Sequence, residues 1–132
     1  MEWKRIKNLD DKSCLEKFQK EFGIEIPISL KHLILHYNGA RPSEKLIKLE
    51  NGNVLEVKML LSYNEEDTEN IYDCIEFFKK KYNNKILPFA TEPSGNYFCM
   101  NLEDYSIIYW IHEEDSIIKV SNSLKQFLQR LY

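Results

Sequence analysis

The sequence predicts an α+β fold in which a twisted, largely antiparallel central sheet is flanked by about four helices. Several segments carry apolar residues at helical spacing, and short runs rich in β-branched and aromatic residues are clustered in the last third of the chain. Strands that are clustered apart from the helices favour an α+β class. At 132 residues, with no repeat or linker, the chain is expected to form a single domain over residues 1–132.

Two helices are predicted in the first third of the chain. The first covers residues 11–22 and ends at Gly23, which fits a left-handed C-terminal position. The second opens at Pro27, because proline is well tolerated in a first helical turn, and stops at Asn38-Gly39.

The middle third is predicted to contain a hairpin, a strand and a third helix. Asn51-Gly52 lies between two β-prone segments and predicts a tight hairpin, since both residues tolerate positive φ. Alternation over residues 55–61 predicts a strand with one face more buried than the other. A long apolar stripe predicts a helix over residues 67–82, with acidic residues at its start and three lysines at its end that complement the helix dipole.

The last third is predicted to contain the remaining strands and a final helix. The predicted strands cover residues 86–91, 97–101, 106–112 and 117–120. Ser121 or Ser123 is expected to cap the final helix, whose apolar side is formed by Leu124, Phe127, Leu128 and Leu131.

Composition and charge exclude several functional classes. A net charge of only −3 draws the chain neither to nucleic acid nor to anionic lipid, although mild acidity suits a basic partner. No apolar run approaches the roughly 20 residues that span a bilayer, and the N-terminus lacks a signal peptide, so a cytoplasmic location is expected. The three cysteines are odd in number and far apart, which favours buried, reduced thiols over disulfides or a zinc site.

Four pieces of the chain occur in an order that is characteristic of one family. They are Pro27 with the helix ending at Asn38-Gly39, then Pro88-Phe89-Ala90 leading to Gly95-Asn96, then residues 108–113, and finally residues 121–128. Together they resemble the SUKH superfamily, including its yeast cell-wall-synthesis-regulator-like branch. The chain departs from the family pattern in four places. Ala40 stands where a second glycine is preferred, and Ile111 where an aspartate is common; residues 92–94 replace an aspartate and a glycine that are usual in that loop, and Leu124 stands where phenylalanine is common.

The resemblance implies a compact α+β domain that has no shared catalytic centre and needs no cofactor. Bacterial members are mostly immunity proteins, so the expected function is to bind and sterically block a cognate polymorphic toxin, expected to be a nuclease. Neither nucleic acid nor membrane is expected as a partner, and the chain is expected to be a monomer or a weak homodimer. The alternative is a cytosolic regulatory or scaffold domain that binds a protein without neutralising a toxin.

The candidate partner-binding residues are acidic and aromatic. Glu113, Glu114 and Asp115 form an acidic loop that could raise the association rate with a basic toxin. Trp110 could supply a nearby aromatic anchor, and Glu92 lies in the predicted loop over residues 92–96. The simpler interpretation is that the acids are solvated turn residues and that Trp110 is part of the core.

Metal binding and catalysis are both disfavoured by the sequence. His32 and His36 are four residues apart on a predicted helix, but the glutamate of the H-E-x-x-H motif is absent. Ser94 does not lie in the strand-turn-helix elbow of a hydrolase, so Gly95-Asn96 is interpreted as a backbone device that turns the chain into the next strand.

Overall fold

The computed structural model describes residues 1–132 and contains four α-helices and nine strands arranged in three antiparallel sheets. This architecture confirms the predicted α+β class. In chain order the elements are β1 (Trp3–Lys4), α1 (Cys14–Phe22), α2 (Ile28–Tyr37), β2 (Arg41–Pro42), β3 (Leu46–Lys48), β4 (Val54–Glu56), β5 (Met59–Leu60), a single 3₁₀ turn (Ile71–Asp73), α3 (Ile75–Tyr82), β6 (Ile86–Thr91), β7 (Tyr97–Asn101), β8 (Ile107–Ile111), β9 (Ser116–Ser121) and α4 (Leu124–Gln129).

The central sheet is a five-stranded meander in which β5 to β9 lie side by side in chain order. The strands β6 to β9 agree with the predicted ones to within one residue at each end, because they combine β-branched and aromatic residues with short turn-forming loops. The pairing of β6 with β7 skips Phe89, and the pairing of β8 with β9 skips Val120, so each of these pairs contains a β-bulge. Such bulges increase local twist, and a bulge is one of the few places where a strand tolerates a proline such as Pro88.

Helices cover both faces of this sheet. Phe78 of α3 packs against Tyr97 and Trp110 with ring centroids 5.9 and 5.0 Å apart. On the opposite face, Phe127 of α4 packs against Phe98 at 5.3 Å. One contiguous cluster of buried apolar residues therefore extends over both faces of the sheet. No helix has the length and apolar character needed to cross a bilayer.

The predicted ends of the first two helices are confirmed. Gly23 ends α1 with a φ of 67°, and α2 begins directly after Pro27. Asn38 follows α2 and is 2% exposed; its amide donates to the Lys7 carbonyl at 2.8 Å and accepts from the Tyr63 backbone N–H at 2.8 Å. Asn38 thus ties the N-terminal segment to the chain after β5. The Asn38-Gly39 pair that follows α2 therefore has a structural role.

The hairpin around Asn51-Gly52 is confirmed, but its loop is longer than predicted. Leu49 N–H donates to the Asn53 carbonyl at 2.8 Å, and Gly52 N–H donates to the Leu49 carbonyl at 3.0 Å. Only Gly52 has a positive φ, whereas Asn51 accepts a side-chain hydrogen bond from the Asn53 N–H. Three residues, 50–52, therefore form the loop, which is the next commonest hairpin length after two.

The single strand predicted over residues 55–61 is wrong. The chain leaves the hairpin after Glu56 and joins the central sheet at Met59, so β4 and β5 belong to different sheets. The change of partner occurs at Lys58, whose N–H donates to the Thr91 carbonyl at 2.8 Å. Residues 59–61 are all buried, because β5 is covered on both faces, and the predicted alternation of buried and exposed positions stops there.

The predicted start of the third helix, at residue 67, is also wrong. Asn70 Oδ1 accepts the Asp73 N–H at 3.0 Å and caps a 3₁₀ turn, and α3 begins only at Ile75. Local side-chain hydrogen bonds of this kind compete with helix formation. The acidic residues 65–67 therefore lie in a loop rather than in the first helical turn, while Lys79, Lys80 and Lys81 do lie in the last turn of α3 as predicted.

Candidate protein-binding surface

Two hairpin loops meet at one end of the central sheet. Successive strands of an antiparallel meander run in opposite directions, so the β6–β7 loop (residues 92–96) and the β8–β9 loop (residues 112–115) lie at the same end. Asn96 joins them: its Oδ1 accepts the His112 backbone N–H at 3.0 Å and lies 2.6 Å from His112 Nδ1. These two loops, together with the exposed face of α3 beside them, are called the loop surface below.

Gly95 supplies the backbone conformation that the β6–β7 turn requires. Its φ is +90°, as the sequence predicted for this turn. A residue with a side chain would be strained in this conformation, although a Cβ here would make only an ordinary contact of 3.5 Å with the His112 ring.

Glu92 lies beneath the loop surface. It is 9% exposed, and its carboxylate accepts the Ser94 N–H at 3.0 Å and the Tyr109 hydroxyl at 3.1 Å. The same hydroxyl accepts from the Asn96 side-chain amide at 2.7 Å. Burial raises the pKa of Tyr109, and the adjacent Glu92 carboxylate contributes in the same direction. The carboxylate of Glu92 is thus used to order its own loop.

Asp115 connects the β8–β9 loop to α3. Its Oδ1 accepts from Trp110 Nε1 at 2.8 Å and from the Tyr82 hydroxyl at 2.7 Å, and its Oδ2 lies 3.0 Å from Lys81 Nζ. These donors, led by Trp110 and Tyr82, lower the pKa of Asp115 to about 2. Asp115 also has a φ of 48°, in the left-handed region that aspartate tolerates better than most residues. It is therefore an anchored residue and not a freely solvated one.

Trp110 is a core residue that supports an exposed aromatic residue. It is 7% exposed, whereas Phe77 of α3 is 45% exposed and packs against it with ring centroids 5.3 Å apart. The sequence reasoning did not single out Phe77. The signal was nevertheless present, since Phe77 is a large apolar residue that lies off the buried helical stripe containing Phe78 and Tyr82.

On the two hairpin loops, Glu113 and Glu114 are the acidic residues that face solvent. Both are exposed, and Glu114 accepts a hydrogen bond from the Ser116 hydroxyl at 3.1 Å. The loop surface therefore combines outward carboxylates with a partly exposed aromatic residue on a rigid support. Aromatic anchors surrounded by polar residues are typical of protein interfaces.

The remaining chemical candidates are dispersed through the fold. The His32 and His36 rings are exposed and parallel with centroids 6.1 Å apart, and no group of three His, Cys, Asp or Glu side chains is arranged to hold a metal ion. The three cysteines are buried and free, as predicted, and burial raises the pKa of Cys74 to about 12. Because the thiolate is the reactive form, such thiols are poor nucleophiles.

The structure defines a small α+β domain in which an antiparallel meander presents, at one end, a loop surface with outward carboxylates and an exposed aromatic residue. The family model of the SMI1 / KNR4 family (SUKH-1) matches residues 11–130, and the chain belongs to this family. The resemblance stated from the sequence is thus confirmed.

One curated relative is similar over nearly the whole chain. It is the SPbeta prophage-derived uncharacterized protein YokK of Bacillus subtilis (strain 168), 19% identical over 145 residues that cover 94% of this chain and 76% of the relative. No solved structure gives a significant match.

Proposed function

We propose that the protein is an immunity protein that binds a cognate bacterial toxin and blocks it sterically. Membership of the SMI1 / KNR4 (SUKH-1) family is the observation that carries this proposal, because bacterial members of the family are associated with toxin neutralisation. The prophage origin in the name of the Bacillus subtilis relative is compatible with it, since a prophage is a mobile genetic element. The protein is expected to act in the cytosol as a monomer or weak homodimer, without a cofactor and without converting a substrate.

The loop surface is the proposed toxin-contacting region. Phe77 would provide an apolar anchor, and Glu113 and Glu114 would face basic groups on the toxin. Trp110 and Asp115 would hold these residues in place from below, so that little conformational entropy is lost on binding. A stable complex of ordinary size buries about 800 Å² on each partner, so the contact would extend beyond these few side chains.

A nuclease is the expected target because the surface with which it binds nucleic acid is positively charged. An enzyme that binds nucleic acid carries lysine and arginine side chains that neutralise phosphates. Outward carboxylates on this chain would pair with those same groups and would speed the encounter of the two proteins. A basic target of this kind would account for an acidic loop on a chain whose net charge is only −3.

Co-expression is the decisive experiment. The toxin domain encoded beside this gene would be expressed in a sensitive host with and without the chain, and growth would be measured. Rescue of growth by the wild-type chain, together with a one-to-one complex in size-exclusion chromatography, is the expected result. Equal killing with and without the chain would show that it is not an immunity protein. A complex without rescue would favour the alternative, a regulatory or scaffold domain.

A further inference from the structure

A long open groove begins at the end of the central sheet that lies opposite to the loop surface. Its first part, of about 790 Å³, lies between the starts of α2 and α4 and the β7–β8 hairpin loop (residues 102–106). Its second part, of about 420 Å³, continues between α2 and α4 as far as the last turn of α2. The two parts share Ser29, Leu124 and Lys125, so they form one continuous groove, which is called the helix groove below.

The rim of the helix groove carries two strongly exposed apolar side chains. Ile28 is 74% exposed, more than any other large apolar residue of the protein, and Tyr105 is 56% exposed. Both line the groove, together with apolar residues that are buried, such as Met100 and Leu124. Exposed apolar residues that cluster beside a concave surface are typical of sites that bind another molecule.

Folding does not account for a tyrosine at position 105. Its φ is 62°, in the left-handed region that costs a bulky residue free energy and that glycine or asparagine tolerates better. The Tyr105 N–H donates to the Asn101 carbonyl at 2.7 Å, but this contact needs no tyrosine side chain. With its ring more than half exposed, the residue gains little burial in return. Backbone strain without such a gain is typical of binding sites.

The charged lining of the helix groove is mainly cationic. Lys31 and Lys125 line it and take part in none of the five ion pairs of the protein. His32 and His36 follow along α2, and Glu25 is the one carboxylate in the lining. Neither α2 nor α4 contains an acidic residue, although the net charge of the chain is −3. The groove therefore differs in charge from the rest of the protein surface.

The start of α2 adds to this positive potential. This ten-residue helix begins at Ile28, on the rim of the groove, and has neither a side-chain cap nor an acidic residue in its first turn. The positive end of its dipole is therefore not compensated by its own side chains. A carboxylate in the groove would be stabilised by this dipole in addition to Lys31 and Lys125.

The combination of exposed apolar and cationic side chains specifies the occupant. The carboxylates of an acidic segment would pair with Lys31 and Lys125, and its apolar side chains would cover Ile28. Nucleic acid offers phosphates but no aliphatic side chains, and the basic surface of a toxin would be repelled by the two lysines. We infer that the helix groove binds a protein partner through a segment that carries both acidic and large apolar residues. The inference goes beyond the proposed function, because it adds a second surface, at the other end of the sheet, for a partner of opposite charge.

Peptide display on the full chain tests the inference. Random peptides of about twelve residues would be selected on the wild-type chain, and the enriched peptides would be titrated by fluorescence anisotropy. The expected result is a class of peptides that combines Asp or Glu with Leu, Ile, Phe or Trp and that loses affinity when its acids are replaced by amides. Lys31→Gln/Lys125→Gln should weaken binding of this class about tenfold, and Ile28→Ser about fivefold.

Matched variants show whether binding occurs in the helix groove. Lys12→Gln/Lys48→Gln makes the same charge change at exposed lysines outside the groove, and Val54→Ser removes an exposed apolar residue elsewhere. Both should leave peptide binding unchanged, as should Glu113→Gln on the loop surface. Circular dichroism would verify that each variant folds.

Tyr105→Gly separates a role in binding from a role in folding. Glycine accepts the left-handed conformation without strain, so the melting temperature should stay the same or rise. Peptide binding should nevertheless weaken about threefold or more, because the exposed ring is lost. A fall in melting temperature with unchanged binding would contradict a binding role for Tyr105.

Four outcomes would overturn the inference as a whole. They are the absence of an acidic and apolar class among the enriched peptides, equal effects of the two lysine double variants, equally tight binding of an oligothymidylate in the groove, and self-association of the chain that Lys31→Gln/Lys125→Gln abolishes. The third would assign the groove to nucleic acid, and the fourth, measured by analytical ultracentrifugation, to a second copy of the chain.

Discussion

The indole Nε1 of Trp110 donates a 2.8 Å hydrogen bond to Oδ1 of Asp115 across the turn that joins β8 to β9. Trp110 lies in the core, whereas Asp115 is part of the acidic loop. The bond therefore connects the hydrophobic interior directly to the proposed toxin-binding loop. A partner that contacts Glu113 and Glu114 would meet a loop whose conformation is set by the fold.

Replacing Trp110 by phenylalanine tests this connection. Trp110→Phe keeps an aromatic ring but removes the indole donor and some buried volume, so the free energy of unfolding should fall by about 1–3 kcal/mol. Amide hydrogen exchange at residues 112–115 should accelerate as the loop loosens. Urea denaturation and exchange NMR would measure the two effects. Trp3→Phe, in a residue that stacks on Tyr37 away from the loop, should leave exchange in the loop unchanged. Unchanged exchange in Trp110→Phe would contradict the connection.

Asp115 should make stability depend on pH in a narrow acidic range. Its pKa is lowered from 3.8 to about 2 in the folded protein. A carboxyl group with a lowered folded-state pKa stabilises the fold above its ordinary pKa, and this contribution is lost as the pH falls towards the lowered value. The difference in melting temperature between the wild type and Asp115→Asn should therefore be constant from pH 7 to about 4.5 and shrink between about 4 and 2. A difference that does not change over this range would show that the ionised form of Asp115 does not contribute to the stability of the fold.

Asn96 should matter more for stability than its loop position implies. It is 7% exposed, and Asn96→Ala would leave the His112 N–H without its acceptor and the Tyr109 hydroxyl without a donor. The expected loss in the free energy of unfolding is about 2 kcal/mol, because the hydrogen bonds that join the two loops are lost and the Tyr109 hydroxyl keeps only its bond to Glu92. Chemical denaturation would measure it. Asn122→Ala, at an exposed position, should change stability by no more than about 0.5 kcal/mol. Equal effects of the two variants would contradict the bridging role of Asn96.

The outward carboxylates of Glu113 and Glu114 should affect the rate of toxin binding but not the stability of the fold. The double variant Glu113→Gln/Glu114→Gln should keep the wild-type melting temperature within about 2 °C, because both side chains are exposed. Its association rate with the toxin should fall by about tenfold at low salt, and the deficit should shrink as salt is added. Stopped-flow or surface plasmon resonance would follow the rate. Glu50→Gln, at the tip of the β3–β4 hairpin, is the control; an equal reduction there would place the contact elsewhere.

Much of the fold could be predicted from the sequence because its determinants are local. The strands 86–91 and 97–101 follow from side-chain type and flanking turn residues, and the helix ends at Gly23 and Asn38 follow from backbone preference. Acidic residues in the β8–β9 loop were also evident from their order along the chain. The order of the family-like pieces also indicated the SUKH superfamily, and the SMI1 / KNR4 (SUKH-1) family model matches residues 11–130.

Tertiary structure alone decided which of those residues face a partner. Asp115 is held by Tyr82, which is 33 positions away in the chain, and Phe77 is presented by its packing on Trp110. The change of sheet between β4 and β5 likewise depends on segments far apart in sequence. Spacing rules describe neighbours along one element, whereas hydrogen bonds and burial depend on neighbours in space, and these exist only once the chain has folded.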